Sequence, residues 1–483
     1  MVNYGGDEVA ALVVDIGSSS LRAGYAGDDT PKAIVPTAFG YIEEQAASNG
    51  DVTMGEAGAP PEGEQPPAPK PKAKLFIGQN GPSLWRSGMQ VGNPMHDGLV
   101  QNFDSIPPLV NHAFSEVLRV NPSEHPVLVT EAPWNTPANR ERMAEIMFEE
   151  FQVPAFYVAN TGVLNAFAAG KGSALVIDIG QSVASVTPVV DGFVLRKGLQ
   201  HCALPQLVHA HAKHMLTSPG PNRPGQLIPH QLIASKMPVD AGVPAKFQLR
   251  EDRIAGTTDT WRAWAEAREV DEWIQSVAGV LPQGWNEQAA LQQGPRHYEF
   301  PTGFNCYFSG VERYAVGEQF FSHSQQLMAS NPNLPKTMPA LIMSSIQACD
   351  TDLRQVLMGN VVVTGGGSSF SGFTDRLAAE LTRQFPVVKV HAPGNPTERK
   401  YGGWLGGSIL ASLGTFHQLW ISREEWQEHG KAIVGQRWKA AGPQAAGSLE
   451  PPQRQATDAA GPDAGESKRW AGREGEGRQG VWR

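Results

Sequence analysis

Apolar residues along this chain gather in short unbroken runs bounded by turn residues, with amphipathic stretches between them. A run of Ala, Leu, Val and Ile closed by a turn signal reads as a buried strand. Two such runs are nearly identical. Ala11-Leu12-Val13-Val14-Asp15-Ile16-Gly17 recurs as Ala174-Leu175-Val176-Ile177-Asp178-Ile179-Gly180. Small polar residues follow both copies: Ser18-Ser19-Ser20 and Gln181-Ser182. Each copy then leads into a hairpin. The first returns through residues 21–25, and the second runs through 186–190, turns at Asp191-Gly192 and returns through 193–195. The repeat is therefore of a substructure. Residues 125–131 form a further buried strand, and residues 360–364 another that enters the turn Gly365-Gly366-Gly367. Residues 139–151 place Met143, Ile146, Met147 and Phe151 on one helical face, with Glu145 off it. Residues 404–413 predict a helix whose Gly, Ala and Ser face lets another backbone come close. The pattern is hardest to read from about 206 to 294, where Pro and Gly alternate with helical pieces. Trp261, Trp264 and Trp273 there suit core packing and interface anchoring equally.

The duplicated loops carry the candidate chemistry. Each lies at the end of a core strand, so the pair can close on a polyphosphate from opposite sides. Backbone N–H groups hold phosphates in such turns, and Asp15 and Asp178 supply carboxylates for a hydrated metal ion. The repeat by itself predicts a two-lobed nucleotide clamp.

Composition narrows the class. The 483 residues are 41% hydrophobic and 18% charged, enough for a sizeable core, and the formal net charge is -9. An acidic balance argues against a large basic surface for direct, sequence-independent binding to nucleic acid. Cys202, Cys306 and Cys349 are widely spaced and offer neither a zinc pattern nor a disulfide framework, which predicts a reducing compartment. No apolar run is long enough to span a bilayer, and the polar, acidic start is unlike a signal peptide. Residues 40–74 and 441–483 are rich in Pro, Gly, Ala and charge and predict a disordered insertion and a disordered tail. His209, His211 and His214 read as a solvated helix surface rather than a metal site.

Longer motifs carry a resemblance. Asp15-Ile16-Gly17-Ser18-Ser19-Ser20-Leu21-Arg22-Ala23-Gly24-Tyr25-Ala26-Gly27-Asp28-Asp29 resembles the first phosphate loop of actin. Glu131-Ala132-Pro133-Trp134-Asn135 with Ala138-Asn139-Arg140-Glu141-Arg142-Met143 resembles another actin signature, as does the stretch from Arg399-Lys400-Tyr401 to Trp420-Ile421-Ser422. Within that superfamily, Tyr4-Gly5-Gly6-Asp7-Glu8-Val9, Ile233-Ala234-Ser235-Lys236 and His297-Tyr298-Glu299-Phe300-Pro301 are most similar to the nuclear actin-related protein 4 (actin-like six) group.

The resemblance implies an α/β fold of duplicated ribonuclease H-like domains with a nucleotide cleft between two lobes. The outer lobe would comprise residues 1–39, 75–152 and 400–440, and the inner lobe 153–399. ATP would meet Ser18, Ser19, Ser20 and Arg22 on one side and Gly180, Gln181 and Ser182 on the other. Gly366, Gly367 and Phe370 would contact the nucleoside, Lys400 the adenine side, and Asp15 and Asp178 a hydrated Mg²⁺ or Ca²⁺. The resemblance also maps a water-positioning glutamine of actin onto Glu145, and replaces an Asp, a Gly and a His of actin's second loop by Gln181, Ser182 and Ser185. It thus implies nucleotide binding with little or no hydrolysis. Residues 40–74 fall where actin has a loop that inserts between filament subunits; a Pro-rich segment there lacks a fixed apolar plug. The implied role is a non-catalytic nuclear subunit of chromatin-remodelling and histone acetyltransferase complexes. Its partners would be monomeric actin, a helix of a scaffold or motor subunit and, through the complex, histones and nucleosomes. A cytoskeletal filament protein, and a sugar kinase or chaperone-type ATPase on the same duplicated fold, are the rival expectations.

Overall fold

The computed structural model describes residues 10–43, 73–220 and 222–440. The first sheet is built from β1 (Leu12–Ile16), β2 (Ser20–Tyr25), β3 (Ala33–Pro36), β4 (Val127–Glu131) and β5 (Ala155–Asn160), closed by the short strand Ile421–Ser422 beyond β5. β1 is wholly buried, as an unbroken apolar run demands. It pairs antiparallel with β2 and parallel with β4. The second sheet contains β6 (Ala174–Ile179), β7 (Ala184–Val190), β8 (Phe193–Val194), β9 (Gln200–Cys202), β10 (Val361–Thr364) and β11 (Val390–His391). β6 pairs antiparallel with β7 and parallel with β10. Both sheets thus repeat one plan: a central strand flanked by its own hairpin on one side and by parallel strands on the other. This is the duplicated α/β architecture that the heptapeptide repeat predicts.

The repeat extends to register. Asp15 lies opposite Arg22 across the first hairpin, and Asp178 opposite Ser185 across the second. At the second hairpin's far end, Asp191 (φ 49°) and Gly192 (φ 80°) take the left-handed conformations that a two-residue turn requires.

Five helices set the geometry of the cleft: α1 (Pro137–Glu145), α2 (Thr161–Ala168), α3 (Leu204–Thr217), α4 (Asp259–Val277) and α5 (Gly402–Ser412). α2 leaves the carboxyl end of β5, capped by Asn160, and crosses to the second sheet, where Gly162 packs on Thr187. α5 returns against α2. Its small face is needed there, because a Cβ at Gly406 would stand 1.9 Å from the Leu164 carbonyl oxygen. The Trp404 indole of α5 donates to the Val13 carbonyl, tying this layer to β1.

Three sequence expectations need adjustment. β5, assigned to the inner lobe by a boundary at residue 153, pairs with β4 in the first sheet, so the chain changes lobe after Asn160. The ends of the 40–74 insertion are ordered as the antiparallel strands Phe39–Glu43 and Ala73–Phe76; the rest of that segment and the 441–483 tail lie outside the described residues. His209 is not on a solvated surface but bridges α3 to α4, 3.1 Å from the Ala267 carbonyl and 3.5 Å from Asp271. Trp261 and Trp273 are buried in cores. No helix among the described residues is long and apolar enough to cross a membrane.

Candidate functional site

Parallel strands of an α/β sheet present their carboxyl ends to ligands. Here the carboxyl ends of β1 and β6 carry Asp15 and Asp178, each followed by the same closed turn. The Gly17 amide donates to the Ser20 carbonyl (3.1 Å) and the Gly180 amide to the Val183 carbonyl (2.9 Å). Ser18 and Ser19 form the first tip, and Gln181 and Ser182 the second. The Ser18 and Ser19 amides have no acceptor among the described residues, so they remain available to an anion. Ser20 is a buried residue of β2 and serves through the carbonyl that closes the turn. The first tip is held from outside: Thr37 donates to the Gly17 carbonyl (2.6 Å) and Asn93 to the Ser18 carbonyl (2.8 Å).

The carboxylates are unequal. Asp15 accepts from Arg22 at 2.5 Å on one oxygen and from Thr130 at 2.6 Å on the other. A hydrated cation would find only the remaining lone pair of each oxygen. Among the described residues Asp178 has no such ion pair. Burial, and then the negative charge of Asp15, push its carboxyl up to about 6, with Arg22 opposing. A cation at this place would restore its charged form, so Asp178 fits the metal-holding role better than Asp15.

Arg22 is where the resemblance puts it, beside the first loop, but its charge is shared with Asp15. Its Nε is buried and unpartnered, a donor that a phosphate oxygen would satisfy. Its guanidinium lies 5.2 Å from the Tyr401 ring centre, and the Lys400 ammonium lies 5.5 Å from the same ring. Tyr401 therefore links the first loop to the proposed adenine side. The Gly365-Gly366-Gly367 turn at the end of β10 comes against the second loop. A Cβ at Gly365, whose φ is +87°, would meet Asp178 Oδ1 at 2.4 Å; one at Gly367 would meet the Ile179 side chain at 2.5 Å. Only glycine allows this approach. Gly366 is exposed, and the Phe370 ring packs edge-on against Phe320, 5.4 Å between centres, in the second lobe's core.

The two sides of the cleft also touch beyond these loops. Trp134, following β4, stacks on His201 of β9 at 4.4 Å. At another place, Trp85 donates to Thr257, Thr258 to the Met89 carbonyl, Thr260 to Gln90, and Trp261 to the Pro82 carbonyl. The tryptophan that the sequence left between core and interface, Trp261, thus packs where the two sides meet.

Two expectations about water-ordering residues change. The Glu145 carboxylate pairs with Arg142 at 2.7 Å and Lys431 at 3.1 Å, and these two cations hold it below the ordinary carboxylate range. With both of these cations engaged on it, the Glu145 carboxylate is committed to an ion-pair set of its own. At the carboxyl end of β5, next to Glu131, the fold places Asn160 and Thr161 instead. Gln181 lies near enough to Asp271 of α4 to favour that carboxyl's charged form against its burial. Thr130, Thr161, Gly365 and Tyr401 were missed in sequence. Thr130, Gly365 and Tyr401 lie within or beside quoted motifs, but the Asp15, Asp178 and Arg22 side chains they meet come from other strands. Among the described residues no group of three His, Cys, Asp or Glu side chains could hold a metal ion, so any divalent cation here would rely on water and phosphate ligands.

Sequence comparison agrees with this geometry. The actin family's pattern matches residues 6–439. A protein named actin-related protein 4 from Emericella nidulans is 38% identical, covering 90% of this chain and 98% of its own. Proteins of the same name from Schizosaccharomyces pombe and Mycosarcoma maydis are 35% and 34% identical, each covering 90% of this chain and 99% of their own. The chain belongs to the actin family, within its actin-related protein 4 group.

Proposed function

We propose that this protein is a nuclear, nucleotide-binding and non-catalytic subunit of chromatin-remodelling and histone acetyltransferase complexes, acting in transcription regulation and DNA repair. Similarity to actin-related protein 4 sequences over nearly the whole length is the observation that carries the reading. In it, ATP lies between the duplicated turns. Ser18 and Ser19 amides and the Arg22 guanidinium hold phosphate on one side, and Gly180, Gln181 and Ser182 on the other. Asp178, with Asp15 behind it, faces a hydrated Mg²⁺ or Ca²⁺. Gly366, Gly367 and Lys400 lie toward the nucleoside. Bound nucleotide supplies negative charge that both turns grip, so its contribution is to join the lobes.

Weak or absent hydrolysis fits the residues around the turns. Ser185, opposite Asp178, carries no imidazole, Gln181 carries no charge, and Glu145 is engaged elsewhere. A site that does not order a water has little means of activating it. The partners in this reading are monomeric actin and a helix of a scaffold or motor subunit, with histones and nucleosomes met through the complex.

The test is a pull-down of the purified chain with monomeric actin and a scaffold-derived helical peptide, with and without ATP, alongside a phosphate-release assay. A stable ternary complex with no turnover is the expected result. Sedimentable filaments without helix binding would move the protein to the cytoskeleton, and sustained turnover would make it an enzyme.

A further inference from the structure

Two of the motifs that carry the group resemblance meet at one open cavity of about 470 Å³, which is lined by Ile233, Ala234, Ser235 and Lys236 of the first and by Tyr298, Glu299, Phe300 and Pro301 of the second. Its remaining wall is α4, through Glu269 and Glu272, with His230 at the edge. The cavity shares no residue with the cleft site.

One feature of this wall is chemically incomplete. Glu269 is only 6% exposed, and its Oε2 is buried with no hydrogen-bond partner. It is the one carboxylate oxygen among the described residues in that state. A buried carboxylate without a partner is costly, and structures normally supply one. Glu272 stands one helical turn on, so both side chains share a face. The nearby Glu299 is already answered by Lys236 at 2.6 Å. The unmatched acidity therefore belongs to Glu269 and Glu272.

The surroundings select among cations. An inorganic ion would need several ligating side chains converging, and no such group exists among the described residues. Tyr298 and the buried Phe300 offer aromatic surface instead, in a space larger than a bare ion requires. Aromatic walls with a carboxylate at the end suit a cation on an apolar stem.

We propose that this cavity binds an alkylammonium group, the side-chain amine of a lysine or the end of a free polyamine, with Glu269 and Glu272 receiving the charge and Tyr298, backed by Phe300, covering the stem. Burial and then Glu272 raise the Glu269 carboxyl to about 7, against the opposing charge of Arg268. Burial with the two glutamates pushes the Tyr298 hydroxyl up to about 12, which keeps it a neutral donor. Binding of an ammonium therefore displaces a proton from Glu269 and strengthens as pH rises through 7. The other titratable groups lining the cavity are His230, Lys236, Glu272 and Glu299.

The test is calorimetric titration of the full chain with a short Gly-Lys peptide whose N-terminus is acetylated, with cadaverine, and with the same peptide acetylated also on its lysines, at pH 6 and 8. Both amines should bind, more tightly at pH 8, and the acetylated peptide should not. Peptide tighter than cadaverine identifies a protein-borne lysine, and the reverse a free polyamine. Glu269→Gln should weaken binding at least tenfold while leaving ATP binding in the cleft unchanged. Ala234→Trp, which fills the cavity and keeps both carboxylates, should abolish it. Equal binding by both variants, or by the acetylated peptide, overturns the assignment.

Discussion

Asp15 and Asp178 occupy equivalent places in the repeat, yet their neighbours differ: Arg22 stands opposite the first and Ser185 opposite the second. Asp178 is raised from 3.8 to about 6, which corresponds to about 3 kcal/mol. The unfolded chain loses this proton near 3.8 and the folded one holds it to about 6. Between those values the folded state binds more protons, so stability falls as pH rises, and the full cost is present above 6. Asp178→Asn should therefore stabilise the ligand-free protein by up to about 3 kcal/mol at pH 7.5, with the gain falling to about 0.5 kcal/mol at pH 4. Urea unfolding at the two pH values checks it, and an equal gain at both would refute the charge argument. The Asp residues were legible in the sequence because a repeat marks them twice. Their inequality was not, since it depends on Thr130 and Arg22 arriving from neighbouring strands. Glu145 shows the converse: a motif assigned it to the cleft, and the helix turned it toward Lys431.

At the scale of elements, strands and hairpins were the readable part. Periodicity and turn residues specify them locally, and β1, β2, β4, β6, β7 and β10 fall where the pattern puts them. The membership of β5 was not readable, because pairing is a property of the sheet. α5 illustrates how sequence hints at packing without naming the partner. Gly to Ala in a helix ordinarily gains about 1 kcal/mol. At Gly406 the added methyl would meet the Leu164 carbonyl of α2, backbone that cannot yield, and such overpacking costs about 1–3 kcal/mol or more. Gly406→Ala should thus be destabilising by about 2 kcal/mol, seen as a lower denaturation midpoint. The Trp134–His201 stack is another contact between elements. Burial lowers the His201 imidazole, with Asp97 opposing. Trp134→Ala should uncover the ring and move its titration upward toward the ordinary value, measured by NMR; an unmoved titration would mean the indole does not shield it.

For the whole molecule, the two lobes are joined by α2 and α5 and by the contacts of Trp85, Met89 and Gln90 with residues 257–260. A ligand held by both loops binds the folded state alone and stabilises it by about 2.7 kcal/mol at a hundredfold excess over Kd. ATP should raise the thermal midpoint in a concentration-dependent way, with both lobes melting together. A shift confined to one transition would place the nucleotide on a single lobe.

The sequence by itself determined the duplicated α/β plan, the two Asp-Gly turns, the third glycine turn and the family, because each is written in contiguous residues whose periodicity and backbone freedom act locally. Only the tertiary structure decided which Asp is neutralised, which cations hold Glu145, which sheet owns β5, and that two separate motifs wall one acidic cavity with α4. Those outcomes depend on charge, burial and steric fit between residues far apart in the chain, and such distances are set by folding rather than by spacing.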